Sequence, residues 1–283
     1  MKKKTCLIHA NCQGEPLEEL LLLSPDFKSR YEIKRFTNYL REPIPDELLA
    51  GCDLFLYQYL GENWGTLGSG SLCSRLKSSA RSIAFPSMFF KTYWPLWTNT
   101  PGFDYRDIFL ESLIERELTE SQILHLYLNT RLDRIYNFKE LTAESEAHEK
   151  HKETFTPIKY VDLIHSLFRQ KRLFNTVNHP RRELMIHTAD SILEMIGLPR
   201  LESETSDRFP QTFPDFELPI HPQVAEHLGL EFGGREDRYH VYGADLTLEE
   251  YVIRYIKCRL EGITDFIGFL CAAAERESCR STD

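Results

Sequence analysis

Along the first ninety residues, apolar and polar positions fall into short blocks that fit strands and helices in turn. Thr5 to Ala10 is brief and mostly apolar, as a strand buried on both faces of a parallel sheet requires. A polar turn follows, and Leu17, Leu20, Leu21 and Leu23 then begin a helix with Pro16 in its first turn. Tyr31 to Tyr39 alternates as a second strand, and Pro43 and Pro45 break the chain before a short helix at Asp46 to Ala50. Asp53 to Leu60, DLFLYQYL, is the clearest strand. The glycine-rich loop Gly61 to Ser71 and a helix at Leu72 to Ser78 lead to a fourth strand, Ser82 to Phe90, interrupted at Pro86. This βαβαβαβ rhythm predicts an α/β fold with an open, mostly parallel sheet.

Beyond the fourth strand the rhythm is lost. Tyr93 to Tyr105 is aromatic-rich and reads as irregular, with helices predicted at 106–117 and 120–138. The charge-dense stretch 139–154 reads as a solvated helix face or a mobile linker. Tyr160, Val161, Ile164, Leu167 and Phe168 repeat at helical spacing, and Leu173 to Val177 predicts a fifth strand ending in Asn178-His179-Pro180. A helix bearing Met185, Ala189, Ile192 and Ile196 stops at Gly197. The chain is proline-rich and irregular over 199–222. A last helix begins at the capping box Thr247-x-x-Glu250 and buries Val252, Ile256, Leu260 and Ile263. The expected organisation is an α/β core from 1–105 and 158–198 carrying the site. A helical insertion occupies 106–157, and an irregular, largely helical C-terminal region, 199–283, packs on the core.

Composition narrows the function. A chain of 283 residues with 42% hydrophobic and 27% charged residues sustains a sizeable core. Its net charge of −9 argues against a nucleic-acid partner or a membrane surface, both of which need clustered positive charge. Lys2, Lys3 and Lys4 precede only a three-residue apolar run before the polar turn, too short for a secretory signal, and no window approaches a bilayer span. The protein is therefore not expected to be integral to a membrane. Seven scattered cysteines give neither a disulfide framework nor a CxxC zinc pair, so a reducing cytoplasm is the expected location.

In open α/β sheets ligands bind beyond the carboxyl ends of the strands. The first strand delivers Asn11, Cys12, Gln13 and Gly14, the third Tyr57, Gln58 and Tyr59, the fourth Ser87, and the fifth Asn178 and His179. Cys12, just before a helix N-terminus, is expected to have a lowered pKa and to serve as a nucleophile; the alternative is a small packing cysteine. His179, fixed by Pro180, is the best acid/base candidate, with a hydrogen-bonded structural histidine as its alternative. The loop Gly65 to Ser71, with Ser69 and Ser71, offers amides to phosphates, yet it lacks a P-loop lysine and serves equally well as a crossover. Arg75, Lys77, Arg81, Arg181 and Arg182 suit a polyanionic cofactor, or are ordinary solvated residues. His148 and His151 lie in a charged run where no metal is expected.

The strings HANCQGEPLEELL, DLFLYQYL, AFPSMFFKTYWP and FNTVNHPRREL, with the helix opened by Gly243 to Tyr251, resemble the WcbI family of capsular polysaccharide biosynthesis proteins. Ala10 stands where that family usually has glycine. The resemblance implies a three-layer core like that of SGNH hydrolases and flavodoxin-like folds, with Cys12 at the serine position of the hydrolases. It also implies binding of coenzyme A or acetyl-CoA, for which the candidate contacts read from the strand ends and loop are Asn11, Gln13, Gly14, Gln58, Ser69, Ser71, Arg81, Ser87 and Asn178. The function implied is an O-acetyltransferase of capsule or exopolysaccharide assembly, with Cys12 and His179 catalytic and a sugar or polysaccharide precursor as acceptor. An SGNH-like esterase or deacetylase and a non-catalytic CoA- or glycan-binding assembly factor are the alternatives. The acceptor sugar and the oligomeric state are not legible in the chain.

Overall fold

The computed structural model describes residues 2–280 and divides them into two compact units. The first runs up to Phe89 and adds Ala147–Leu167 and Asn178–Thr212; the second comprises Phe90–Glu146, Phe168–Val177 and the chain from Phe213 onward.

The first unit opens with β1 (Lys4–Ala10), α1 (Gly14–Leu23), α2 (Pro25–Arg30), β2 (Tyr31–Thr37), α3 (Asp46–Gly51), β3 (Leu54–Gln58), α4 (Ser69–Ser74) and β4 (Arg81–Phe85). The four strands form one parallel sheet in the order β2-β1-β3-β4, with Ile8 opposite both Arg35 and Leu56, and Tyr57 opposite Ala84. The chain thus leaves β1 toward one edge, returns across it to β3 and continues to β4. With a constant crossover hand, that reversal puts α1 on one face and α3 and α4 on the other. Leu7, Phe55, Leu49, Cys52 and Leu72 are fully buried together on the α3–α4 face. On the opposite face, Gly14 of α1 lies against Ala10 and Ile8, a close approach that needs glycine, since a Cβ there would stand 3.0 Å from that of Ala10. The helix Arg182–Met195 packs beside α1 on this face, completing the expected three layers.

Local chemistry sets the ends. Ser24 ends α1 and its hydroxyl accepts from Phe27 N–H to cap α2, whose first residue is Pro25. The fourth strand stops at Phe85 rather than reaching Phe90, because Pro86 has no N–H for the ladder.

In the second unit, the helices Ile108–Ile114, Glu120–Asn129 and Leu248–Leu260 pack together. Glu111 ties two of them, accepting two bonds of 2.9 Å from the Arg259 guanidinium and one of 2.6 Å from Tyr255. The predicted capping box at Thr247 and Glu250 is formed, but the helix ends at Leu260, which is exposed rather than buried. The expected fifth strand, here Phe174–Thr176, does not join the parallel sheet. Its Asn175 carbonyl accepts from Leu218 N–H, and the Asn175 side-chain amide donates to Phe213 O. Among the described residues no helix is long and apolar enough to cross a membrane.

Candidate active site

The order β2-β1-β3 places the reversal of chain direction between β1 and β3, where the first crossovers leave on opposite faces and open a crevice at the carboxyl ends. Asn11, Cys12 and Gln13 leave β1 there, and Gln58 is the last residue of β3.

Two buried glutamines brace this turn. Gln13 donates through Nε2 to the carbonyls of Met88 (2.7 Å) and Asn178 (2.9 Å), and its Oε1 accepts from Gln58 Nε2 and Met88 N–H, both at 3.1 Å. Gln58 gives its other Nε2 hydrogen to Pro86 O (3.1 Å) and accepts Asn11 N–H through Oε1 (2.8 Å). Asn11 Oδ1 accepts Gln13 N–H at 2.9 Å, and Gly14 N–H returns to Asn11 O at 3.0 Å. Both side-chain donors of each glutamine are thus spent on the protein. The two amides that sequence reasoning assigned to cofactor binding act in this structure as cross-braces joining β1, β3, the segment after β4 and the Asn178 turn.

Cys12 is the partly exposed group in the middle of this frame, and Asn178 Nδ2 donates to its Sγ at 3.9 Å. Its expected low pKa is corrected. Burial pushes the thiol up to about 11, outweighing the neighbouring backbone N–H groups of Cys12 and Gln13, and Glu15 adds to the rise. His179 follows Asn178, and burial lowers it to about 4, so its imidazole is neutral at pH 7. At pH 7 Cys12 is therefore a thiol and His179 a neutral imidazole.

The remaining candidates lie elsewhere in the first unit. Gly14 uses its missing side chain for helix–strand packing, and this also accommodates Ala10. Ser69 is buried and closes the loop after β3: its Oγ accepts Leu60 N–H at 2.8 Å and its N–H returns to Leu60 O at 2.9 Å. Trp64 and Gly68 N–H groups bond Gly61 and Gly65 carbonyls within the same loop. Ser71 sits inside α4, its carbonyl accepting from Ser74 and Arg75. Arg75 pairs with Asp46, Lys77 with Asp53, and Arg182 holds the carbonyls of Asp207 and Phe209. Arg81 is the first residue of β4, at the opposite end of the sheet from Cys12. Ser87 lines a cavity beside the site.

Sequence reasoning missed two features. Glu149, inside the charged run read as a solvated face or a linker, belongs to a helix, Phe138–Glu153, and is only 3% exposed. Its carboxylate accepts from Phe89 N–H, Tyr160 Oη and Lys152 Nζ, each at 3.0 Å, and so anchors the segment after β4. His9, two residues before the turn, is buried and its Nε2 has no hydrogen-bond partner among the described residues; desolvation lowers it to about 4.

A structure of WcbI, described as a novel polysaccharide biosynthesis enzyme in its native form without a disulfide bond between coenzyme A and one of its cysteines, matches 97% of this chain and 94% of its own. The two share 19% identity with a TM-score of 0.77. At that identity the likeness shows the shared fold. No curated protein matches the chain. The family model of the polysaccharide biosynthesis enzyme WcbI matches residues 5–201. With most of the chain covered by that model, the protein belongs to the WcbI family of polysaccharide biosynthesis enzymes.

Proposed function

We infer that this enzyme transfers an acetyl group from acetyl-CoA to a sugar hydroxyl of a polysaccharide precursor, and that the sulfur of coenzyme A seats against Cys12. The observation that carries this reading is a partly exposed, protonated thiol held at the switch point of the sheet, where Asn178, the residue before His179, donates to its sulfur. A thiol of this kind fits the thioester end of the cofactor: it adds no charge next to an acyl carbonyl. The related WcbI structure, described as being without a disulfide bond between coenzyme A and one of its cysteines, supports the same placement.

Coenzyme A supplies an activated acyl thioester. The chain's own groups bring the hydroxyl to it and manage one proton. His179, neutral at pH 7, accepts the hydroxyl proton as the sugar oxygen forms its bond to the acyl carbon, and returns that proton to the departing sulfur. Cys12 orients the sulfur, since at a pKa of about 11 roughly one thiol in ten thousand is ionised at pH 7. Gln13 and Gln58, with their donors committed, fix the turn rather than the acyl oxygen.

Coenzyme A and acetyl-CoA are expected to raise the melting temperature, because a ligand that binds only the folded state stabilises it. No shift with either at millimolar concentration overturns the reading. Transfer assays with Cys12→Ala and His179→Gln divide the routes. Direct transfer keeps activity in Cys12→Ala and loses it in His179→Gln, whereas loss in Cys12→Ala with capture of an acetylated Cys12 in the wild type shows a covalent route.

A further inference from the structure

A cavity of about 120 Å³ opens beside this site, walled by Tyr59, Phe85, Pro86, Ser87, Lys152 and Phe155. Its walls continue directly from the site's bracing residues. Tyr59 follows Gln58, and Ser87 lies between Pro86, whose carbonyl Gln58 holds, and Met88, whose N–H and carbonyl Gln13 holds. Glu149 holds the next residue, Phe89. The segment 86–89 is therefore pinned on both sides of Ser87, which lines the cavity.

Tyr59 and Phe155 stack with ring centroids 4.1 Å apart and planes within 2°, yet stay 43% and 38% exposed. Two large rings stacked on each other and left partly in water beside a cavity point to a ligand with an apolar face that covers the stack's open side. Lys152, itself held by Glu149 at 3.0 Å, adds an N–H donor, and Ser87 adds a hydroxyl. At about 10–15 Å³ per water-sized position, the volume takes roughly ten heavy atoms, close to a single hexopyranose and far short of a coenzyme A nucleotide.

We propose that this cavity is the acceptor subsite, binding one neutral pyranose with its C–H face against the Tyr59–Phe155 stack and its hydroxyls toward Ser87 and Lys152. The proposal rests on the acetyl-transfer reading, for which it places the acceptor ring next to the Cys12 turn.

The test is saturation-transfer NMR on the full chain with coenzyme A present, using methyl β-D-glucopyranoside, methyl β-D-galactopyranoside and methyl α-D-mannopyranoside as probes. At least one glycoside is expected to receive saturation. Tyr59→Ala and Phe155→Ala are each expected to lower that signal fivefold or more, while Tyr59→Phe retains it and the thermal shift by coenzyme A is unchanged. A wild-type protein that binds coenzyme A but gives no signal from any of the three glycosides overturns the subsite. So does a signal that persists in Tyr59→Ala, which decides alone if Phe155→Ala fails to fold. Failure of coenzyme A to bind overturns the acetyl-transfer reading instead, so the two failures are distinguishable.

Discussion

Two polar loops leave the carboxyl edge of the same sheet and are held in opposite ways. The loop after β3 closes on itself: Leu60 and Ser69, nine residues apart, exchange bonds through backbone and hydroxyl, and Gly68 packs so tightly on Gly61 that a Cβ would meet its carbonyl at 3.0 Å. The turn after β1 is held from far away, by Gln58, Met88 and Asn178, which lie 45 to 165 residues from Gln13. A loop closed by local bonds takes its shape without a partner from elsewhere in the fold. A turn braced from other elements leaves its central side chain, Cys12, available in a fixed place. Rigidity of this kind is what a reacting centre requires, since small misplacements of the reacting groups are costly.

The largest expected effect tests that bracing. Gln13→Leu keeps volume but strips four hydrogen bonds, taking the partner from the Met88 N–H, the Met88 carbonyl and one Gln58 Nε2 hydrogen in a buried place, and one bond from the Asn178 carbonyl. A loss of about 3–5 kcal/mol is expected from orphaned buried groups in one network, read by urea denaturation. A cost no greater than that of a single loop hydrogen bond would remove the distinction between the two loops.

Next in size is the reactivity of the thiol that the brace presents. With its pKa pushed up to about 11 from an ordinary value of 9.0, Cys12 is expected to alkylate with iodoacetamide about a hundredfold more slowly at pH 7 than a free cysteine. Because the thiolate fraction grows as the pH approaches the raised pKa, the rate should keep climbing through pH 10 rather than levelling near 9. Mass spectrometry of the peptide carrying Cys12 follows it separately from the other cysteines. A plateau below pH 8 would show that the helix N-terminus outweighs burial.

The thiol also shows where sequence reasoning stops. The strands were legible because Thr5 to Ala10 and Asp53 to Leu60 are apolar runs of strand length, and strand ends in such sheets are where ligands gather. That logic brought Cys12, Gln58 and Asn178 into one place. It did not reveal that Gln13 and Gln58 spend their donors on each other and on carbonyls, because an amide that binds a ligand and an amide that braces a turn are the same residue in a sequence. Proximity of Cys12 to a helix end was legible and burial was not, so the direction of its pKa came out reversed. Glu149 was hidden for a related reason: a carboxylate among charged neighbours reads as solvated until Phe89, 60 residues away, and Tyr160, 11 residues on, supply its donors.

Two smaller effects sharpen the comparison from its packing side. Gly14→Ala adds a methyl group where Ala10 Cβ lies 3.0 Å away and Arg35 Cδ 3.3 Å away. Overpacking of about 1–3 kcal/mol is expected, and because the strain falls on the junction of β1 and α1, affinity for coenzyme A should fall with it. Ser69→Ala, by contrast, removes one hydroxyl from the self-closed loop. Leu60 N–H loses its acceptor, but Ser69 N–H still reaches Leu60 O, so the loop keeps its backbone closure. A cost of about 1 kcal/mol follows for one partly buried hydrogen bond, measurable as a shift in the urea midpoint with an unchanged slope. Affinity for coenzyme A, followed by thermal shift, should stay within twofold of the wild type. A tenfold loss in Ser69→Ala with intact stability would instead show that the loop after β3 takes part in binding, and that local closure of its amides does not prevent it.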